Sequence, residues 1–235
     1  MVMALARSEV SAQAAEVARL RAQIGSMQRR TAVVDALPVH DPLAPLFPEG
    51  GLRPGSSYAL PDSASLLLAL IGAASRDGSW CAVIGMPHLS AEAAEGYGVD
   101  PARLALIPRP AERWRQAVAT ASEVFPLVAV RPSSPAAPAE AARIDARLRE
   151  NGSCLLAVGS WPGASASLAM AAPEWQGLGR GHGLLSSRAV TIQATGRRAP
   201  RPRSVRVLLP GASGGVESAT PRRVDGRAHL RAVPA

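Results

Sequence analysis

The sequence predicts an α/β fold in which a largely parallel sheet is flanked by helices. Short, wholly apolar runs, typical of strands buried on both faces, alternate with segments of helical periodicity along the 235 residues. Hydrophobic residues make up 47% and charged residues 19%, which excludes a wholly disordered chain. No apolar run reaches the roughly 18–20 residues that a transmembrane helix needs. Four Trp, two Tyr and two Phe are the only aromatic residues, so aliphatic side chains must form most of the core.

Residues 1–34 are predicted to form a separate N-terminal helix, with helical periodicity over residues 4–30. Five apolar residues, spaced by seven, three, four and three positions, form one stripe along it: Val10, Val17, Leu20, Ile24 and Met27. A single helix cannot bury such a stripe by itself. We therefore expect the stripe to pack on its own domain, on a second copy of the chain or on another protein. It is a candidate partner-binding surface.

The core is predicted over residues 35–193 and begins with a Pro- and Gly-rich connector. Its expected strands are Ser56–Leu60, Trp80–Ile84, Leu104–Ile107, Leu127–Val130, Ser153–Val158 and Val190–Gln193. Its expected helices are Ser63–Ser75, Ala91–Glu95, Ala111–Val124 and Ala136–Glu150. Strands that alternate with helices imply right-handed crossovers and helices on both faces of the sheet. Residues 161–183, rich in Gly, Ala and Ser, interrupt this alternation and are predicted to form a mobile loop or a short helix.

Residues 194–235 are predicted to form a basic, Arg- and Pro-rich tail that is mostly flexible, with Val205–Leu209 as its one ordered candidate. All 26 basic residues of the chain are arginines, and nine of them lie in this tail against Glu217 and Asp225. The tail therefore predicts weak, salt-sensitive, sequence-independent DNA binding, docking on an acidic protein, or simply a solvated segment. The candidate contact residues are Arg197, Arg198, Arg201, Arg203, Arg206, Arg222, Arg223 and Arg227.

The cysteine pattern and the N-terminus predict a cytoplasmic protein. Cys81 and Cys154 lie inside apolar runs, which predicts two buried thiols in a reducing compartment. The first residues carry Arg7, Glu9 and Glu16 among alanines, unlike a secretory signal. No group of residues has metal-ligand spacing, so no metal is expected.

The loop after the first core strand is the first place to look for a ligand, because ligands of parallel sheets bind at the carboxyl ends of the strands. The turn Gly50-Gly51-Leu52-Arg53-Pro54-Gly55 leads into this strand, and a Leu-rich helix follows. Over about residues 40–195, this order of turn, strands and helices resembles the RecA family of recombinases. The resemblance implies a RecA-like sheet with an ATP site at that loop.

The residues that ATP hydrolysis requires are missing from this site. A phosphate-binding loop needs glycines and a lysine, but the loop has neither and carries Asp62 and Ser63 instead. By the resemblance, Arg131 replaces the aspartate that holds Mg²⁺, and Pro87 replaces the glutamate that activates water. We expect a retained fold with no catalysis and no cofactor. Asp62-Ser63 is most simply a helix N-cap, and His88, also weighed as an acid–base residue, a loop or capping histidine.

Among RecA-like proteins without an ATP site, the chain most resembles the actinobacterial ImuA-prime type. That resemblance implies an accessory protein of the DNA-damage-induced mutasome that is nucleoid-associated after damage. Self-association is a further expectation. Its implied partners are ImuB, a Y-family polymerase homologue without polymerase activity, and an error-prone C-family polymerase. Trp161 and Trp175 lie where RecA proteins carry a DNA-binding loop, and they are candidate partner anchors unless they cover the sheet edge. The alternatives are a SulA-type cell-division inhibitor and, less favoured, an active ATP-dependent recombinase.

Overall fold

The structure, a computed structural model, describes residues 36–178, 183–196 and 199–219. A nine-stranded mixed sheet lies at its centre, with helices packed on both faces. Within these residues, no helix combines the length and apolar character needed to span a membrane. The predicted α/β class with a largely parallel sheet is confirmed for this core.

The first five strands of the main sheet are parallel to one another. A small antiparallel pair, β1 (Leu37–Pro38) and β2 (Gly51–Leu52), precedes them. The parallel strands are β3 (Ser57–Leu60), β4 (Cys81–Ile84), β5 (Leu104–Ile107), β6 (Leu127–Val130) and β7 (Cys154–Val158). Apart from β5, every residue of these strands is buried, as continuous apolar runs predict. The order across this part of the sheet is β3-β7-β6-β4-β5.

The rest of the sheet is mostly antiparallel, and it corrects two predictions. Its strands are β8 (Ala166–Leu178), β9 (Gly183–Gly196), β10 (Ala199–Leu208) and β11 (Glu217–Ser218). β8 is parallel to β3, and β9, β10 and β11 follow it in antiparallel order. The prediction of a mobile loop or short helix over residues 161–183 is wrong, because most of that segment is β8. The prediction of a mostly flexible tail is wrong over residues 199–204, the first part of β10. The ordered candidate Val205–Leu209 is confirmed over residues 205–208, the rest of that strand.

Within the described residues, four α-helices cover the two faces of the sheet. They are α1 (Ala64–Arg76), α2 (Ala91–Gly96), α3 (Trp114–Val124) and α4 (Pro138–Asn151). Three short 3₁₀ turns accompany them, at Asp41–Leu46, Pro101–Arg103 and Ala111–Arg113. The expected N-cap of α1 is confirmed for Ser63, whose hydroxyl accepts a hydrogen bond from the Leu66 N–H. Helix α4 ends at Asn151 and is capped by Gly152, whose left-handed backbone conformation favours glycine.

Alternate residues of the buried strands supply two separate cores. Leu127 and Ala129 of β6 face the core under α1, whereas Val128 and Val130 face the core under α3 and α4. Cys81 and Cys154 are both buried and unpaired, as the apolar runs predicted. Burial raises the pKa of the Cys81 thiol to about 12 and also raises that of Cys154, so both thiols are neutral and unreactive near pH 7.

Candidate functional site

The carboxyl ends of the parallel strands bring three predicted site positions to one edge of the sheet. Asp62 follows β3, Pro87 follows β4 and Arg131 follows β6. Parallel pairing aligns the ends of these strands, since β7 lies between β3 and β6, and β6 pairs with β4. This edge is therefore the candidate functional site.

Arg131 and Asp62 form a bidentate ion pair across this edge. Arg131 Nη1 donates to Asp62 Oδ2 at 2.8 Å, and Arg131 Nη2 donates to Asp62 Oδ1. The hydrogen bond from the guanidinium holds the pKa of the Asp62 carboxyl below its usual value. Both side chains remain partly open to solvent, at 39% for Arg131 and 70% for Asp62. The two charges neutralise each other at the place where the resemblance puts phosphates and Mg²⁺.

The loops after β4 and β6 are pressed together beside this ion pair. Gly85 has a φ of 78°, and a Cβ at that position would meet the carbonyl oxygen of Arg131. The Arg131 N–H in turn donates to the Ile84 carbonyl at 2.9 Å. Only glycine fits this close approach with a left-handed backbone. Pro87 and His88 follow Gly85 as exposed residues.

A second polar cluster, made by Ser65, Arg188 and Trp175, lies near the same edge. Of these three residues, the sequence predicted only Trp175 as a candidate. Arg188 Nη2 donates to Ser65 Oγ at 2.9 Å, and Arg188 Nε donates to the Leu209 carbonyl at 2.8 Å. Its guanidinium carbon lies 5.2 Å from the centroid of the Trp175 ring, a cation–π distance. Ser65 Oγ also lies 3.1 Å from the hydroxyl of Ser63. Arg188 thus ties β9 to the start of α1 and supports the Trp175 indole.

The two candidate anchor tryptophans differ in exposure. Trp161 is buried, packs edge-on against Trp114 with ring centroids 6.3 Å apart, and donates its indole N–H to Asp145 at 3.1 Å. Its indole is buried and hydrogen-bonded inside the core under α3 and α4, so the expectation that Trp161 anchors a partner is wrong. Trp175 is 51% exposed and stays a candidate anchor.

Two of the tail arginines link strand β10 to other parts of the fold. Arg203 Nη1 donates to the carbonyls of Pro45 and Phe47, both at 3.2 Å. Arg206 forms an ion pair with Glu174 at 2.8 Å and donates to the Thr191 hydroxyl at 3.0 Å. Arg201 on the same strand is exposed. The other predicted contact residues lie outside the described residues: Val10, Val17, Leu20, Ile24, Met27, Arg197, Arg198, Arg222, Arg223 and Arg227.

Comparison with known proteins identifies the family. The family model described as MT3502 N-terminal domain matches residues 45–163, half of the chain. The chain belongs to this family. It is also 33% identical, over 128 residues, to the uncharacterized protein Rv3395c of Mycobacterium tuberculosis (strain ATCC 25618 / H37Rv). That match covers 53% of this chain and 63% of the relative, so it spans less than two thirds of the relative's length.

The residues matched to the MT3502 N-terminal domain contain the ion pair but only Ser65 of the second polar cluster. Asp62, Pro87 and Arg131 lie within the matched residues 45–163, whereas Trp175 and Arg188 follow them. Among the described residues, no group of three or more His, Cys, Asp or Glu side chains is arranged to hold a metal ion. The edge therefore offers the Asp62–Arg131 ion pair, flanking hydroxyls and an exposed indole as its chemistry.

Proposed function

We propose that this chain is a non-catalytic, RecA-like accessory protein of the ImuA-prime type that works in the DNA-damage-induced mutasome. It binds an ImuB-like homologue of Y-family polymerases, beside an error-prone C-family polymerase. In this role it supports synthesis past lesions and induced mutagenesis. The observation that carries the proposal is the Asp62–Arg131 ion pair at the edge where the RecA resemblance implies an ATP site.

The ion pair favours a binding role over nucleotide hydrolysis. A phosphate near Arg131 would have to displace the Asp62 carboxylate, which carries the same sign of charge as the phosphate. The loop supplies no glycine whose backbone N–H could wrap the phosphate instead. The guanidinium that could bind a phosphate is thus already paired with a carboxylate of the chain itself. That the loops after β3, β4 and β6 meet at one edge agrees with the RecA-like interpretation of the fold.

The outer part of the β8–β9 ribbon is the surface that best suits a partner. Residues 171–177 are all exposed, and the ribbon carries three large apolar side chains in contact with solvent: Trp175, Leu184 and Leu185. Exposed apolar groups of this size mark interaction sites, and tryptophan is enriched among the residues that dominate binding. Stacking on Arg188 holds the Trp175 indole in place before binding, which lowers the entropy cost of association.

The test measures binding of purified ImuB-like protein to the full chain by calorimetry. Removing a dominant tryptophan costs at least about 2 kcal/mol, so Trp175→Ala should raise Kd by roughly thirtyfold. The matched control is Trp80→Ala, since Trp80 is 48% exposed but precedes β4 at the opposite end of the strands. Failure of the wild-type chain to bind the ImuB-like protein would overturn the proposal.

Two further measurements separate the proposal from its alternatives. Calorimetry with ATP and Mg²⁺ should show no binding heat, whereas an active recombinase would bind the nucleotide. Overproduction of the chain in its host should leave cell division normal, because filamentous growth is the result that a SulA-type inhibitor predicts. Tagged protein isolated from DNA-damaged cells should carry both the ImuB-like protein and the C-family polymerase.

Direct DNA contact by the tail is tested with a chain that ends at Ala219. This change removes Arg222, Arg223, Arg227 and Arg231 while β10 and β11 stay intact. Each lost phosphate contact should lower the slope of log K against log salt by about 0.7, the value for single strands. Binding of single-stranded DNA should therefore weaken most at low salt. The full chain and the shortened chain are compared at one low and one high salt concentration. Equal affinity of the two chains at each concentration would assign the tail a different role.

A further inference from the structure

An open, largely apolar groove runs between the edge strand β5 and helix α3. Its volume is about 930 Å³, and its apolar lining includes Ile107, Ala117, Ala121, Val124 and Phe125. Val124 is 70% exposed although it is a large apolar side chain. Within the described residues, β5 pairs with β4 alone, so its outer edge has no neighbouring strand. An exposed apolar groove beside an open sheet edge is a surface that needs a cover.

The N-terminal end of the described chain lies on the α1 face, at the same end of the sheet as one end of this groove. Ala36, the first described residue, shares a surface cleft with Ala73, Arg76 and Asp77 at the end of α1. Three residues after Asp77 comes Trp80, whose ring lies 6.4 Å from the ring of Phe125 in the groove lining. The 35 residues that precede Ala36 therefore join the described chain near the same end of the sheet.

The length and charge of the N-terminal segment suit the groove. A helix over residues 4–30 would be about 40 Å long, enough to run along α3 and past its ends. Two arginines, Arg109 and Arg113, and one acid, Glu112, line the groove, so its charged lining is positive overall. Within the described part of the chain, neither guanidinium has a hydrogen bond or an ion pair. In the predicted helix, Glu9 and Glu16 stand two turns apart on one border of the apolar stripe.

We propose that this groove is the docking site of the chain's own N-terminal helix. The stripe Val10, Val17, Leu20, Ile24 and Met27 would cover the apolar lining, with Glu9 and Glu16 beside Arg109 and Arg113. This assigns the stripe to its own domain rather than to a second copy or another protein. The inference is independent of the proposed function, because it concerns contacts within one chain.

Hydrogen exchange of the full-length protein tests the docking directly. Backbone amides of residues 10–27 should exchange at least about tenfold more slowly than those of an isolated peptide of the same sequence. Val124→Asp, at an exposed position, should abolish this protection by placing a charge against the stripe. The matched control Ala146→Asp puts the same charge on an exposed position of α4 outside the groove and should leave the protection unchanged.

Charge reversal supplies a second test that does not depend on packing. Arg109→Glu combined with Arg113→Glu should reduce the protection, and so should Glu9→Arg combined with Glu16→Arg. The quadruple variant should restore it, because the two sets of charges would again be opposite. Circular dichroism and unchanged exchange in β6 and β7 show that each variant keeps its fold.

Three results would overturn the inference. The first is fast exchange of residues 10–27 in the wild-type chain. The second is protection that Val124→Asp leaves intact in a folded protein. The third is a dimeric mass by light scattering together with protection that disappears on dilution, because that pattern assigns the groove to the helix of a second copy.

Discussion

The two halves of the sheet are stabilised in different ways. In the parallel half, β6 and β7 have helices or loops on both faces, and every residue of the two strands is buried. In the antiparallel half, residues 171–177 of β8 are all exposed, and the ribbon depends on its ladder of hydrogen bonds and on a few long side chains such as Arg188. Apolar burial thus dominates one half, and pairing and polar anchors dominate the other.

The largest expected difference between the halves concerns two tryptophans. Trp114 is fully buried under the parallel half, so Trp114→Ala should lower the free energy of unfolding by about 3–5 kcal/mol through lost burial and a residual cavity. Trp175 is half exposed on the ribbon, and Trp175→Ala should cost less than about 1 kcal/mol. Urea unfolding followed by circular dichroism measures both. Equal losses would show that the ribbon is as tightly packed as the core.

The next prediction concerns the close packing of helix α1. Replacing a helical glycine by alanine normally stabilises a helix by about 1 kcal/mol. At Gly72, however, an added Cβ would meet the carbonyl oxygen of Tyr97, so Gly72→Ala should destabilise the protein by about 1–3 kcal/mol. Gly96→Ala is the control, since nothing lies within 4 Å of the added Cβ there. If the two variants unfold at the same urea concentration, the packing of α1 is looser than described.

A smaller effect is expected from the anchor of the ribbon. Arg188→Ala removes the hydrogen bonds to Ser65 and to the Leu209 carbonyl, as well as the support for the Trp175 indole. The free energy of local opening of the outer ribbon should fall by about 1–2 kcal/mol. Hydrogen exchange should show faster exchange there, with β6 and β7 unchanged. The control Arg201→Ala, on an exposed residue of β10, should leave ribbon exchange at the wild-type rate.

The smallest effect is expected at the ion pair. Asp62 and Arg131 are both substantially exposed, so Asp62→Asn should cost no more than about 1 kcal/mol at pH 7. Because the pKa of folded Asp62 lies below the ordinary carboxyl value, the ion pair contributes its stability above about pH 4 and loses it as the pH falls through the folded pKa. The difference between wild type and variant should therefore shrink in urea unfolding as the pH falls below about 4. A constant difference across the pH range would contradict the charge-based account.

The same contrast explains which elements the sequence could predict. The parallel strands appear as short apolar runs, and both the partly exposed Leu104–Ile107 and the buried Leu127–Val130 are observed with the predicted bounds. The apolar run of β8, residues 168–172, consists mostly of alanines, which do not favour a strand, so the pairing of β8 with β3 and β9 decides its structure. In β10, Val205 and Val207 alternate with polar residues, and this part of the strand was predicted. The residues before them are mostly arginines and prolines, which do not indicate a strand, so the first part of β10 was not predicted.

The candidate site was predicted only in part, and for a physical reason. The positions of Asp62 and Arg131 followed from the ends of two apolar runs, whereas their pairing depends on which strands are neighbours. Arg188 and Ser65 are 123 residues apart, and no local pattern relates them. Contacts of this kind arise from the complete sheet, so they become visible only in three dimensions.

Arg203 has a consequence for how the protein is synthesised. Arg203 donates hydrogen bonds to Pro45 and Phe47, which precede it by 158 and 156 residues in the chain. Val207 of the same strand lies in the core with Leu43. A ribosome exposes the early segment long before it makes β10. Leu43 and its neighbours therefore stay incompletely covered until β10 has been made, more than 150 residues later in the chain.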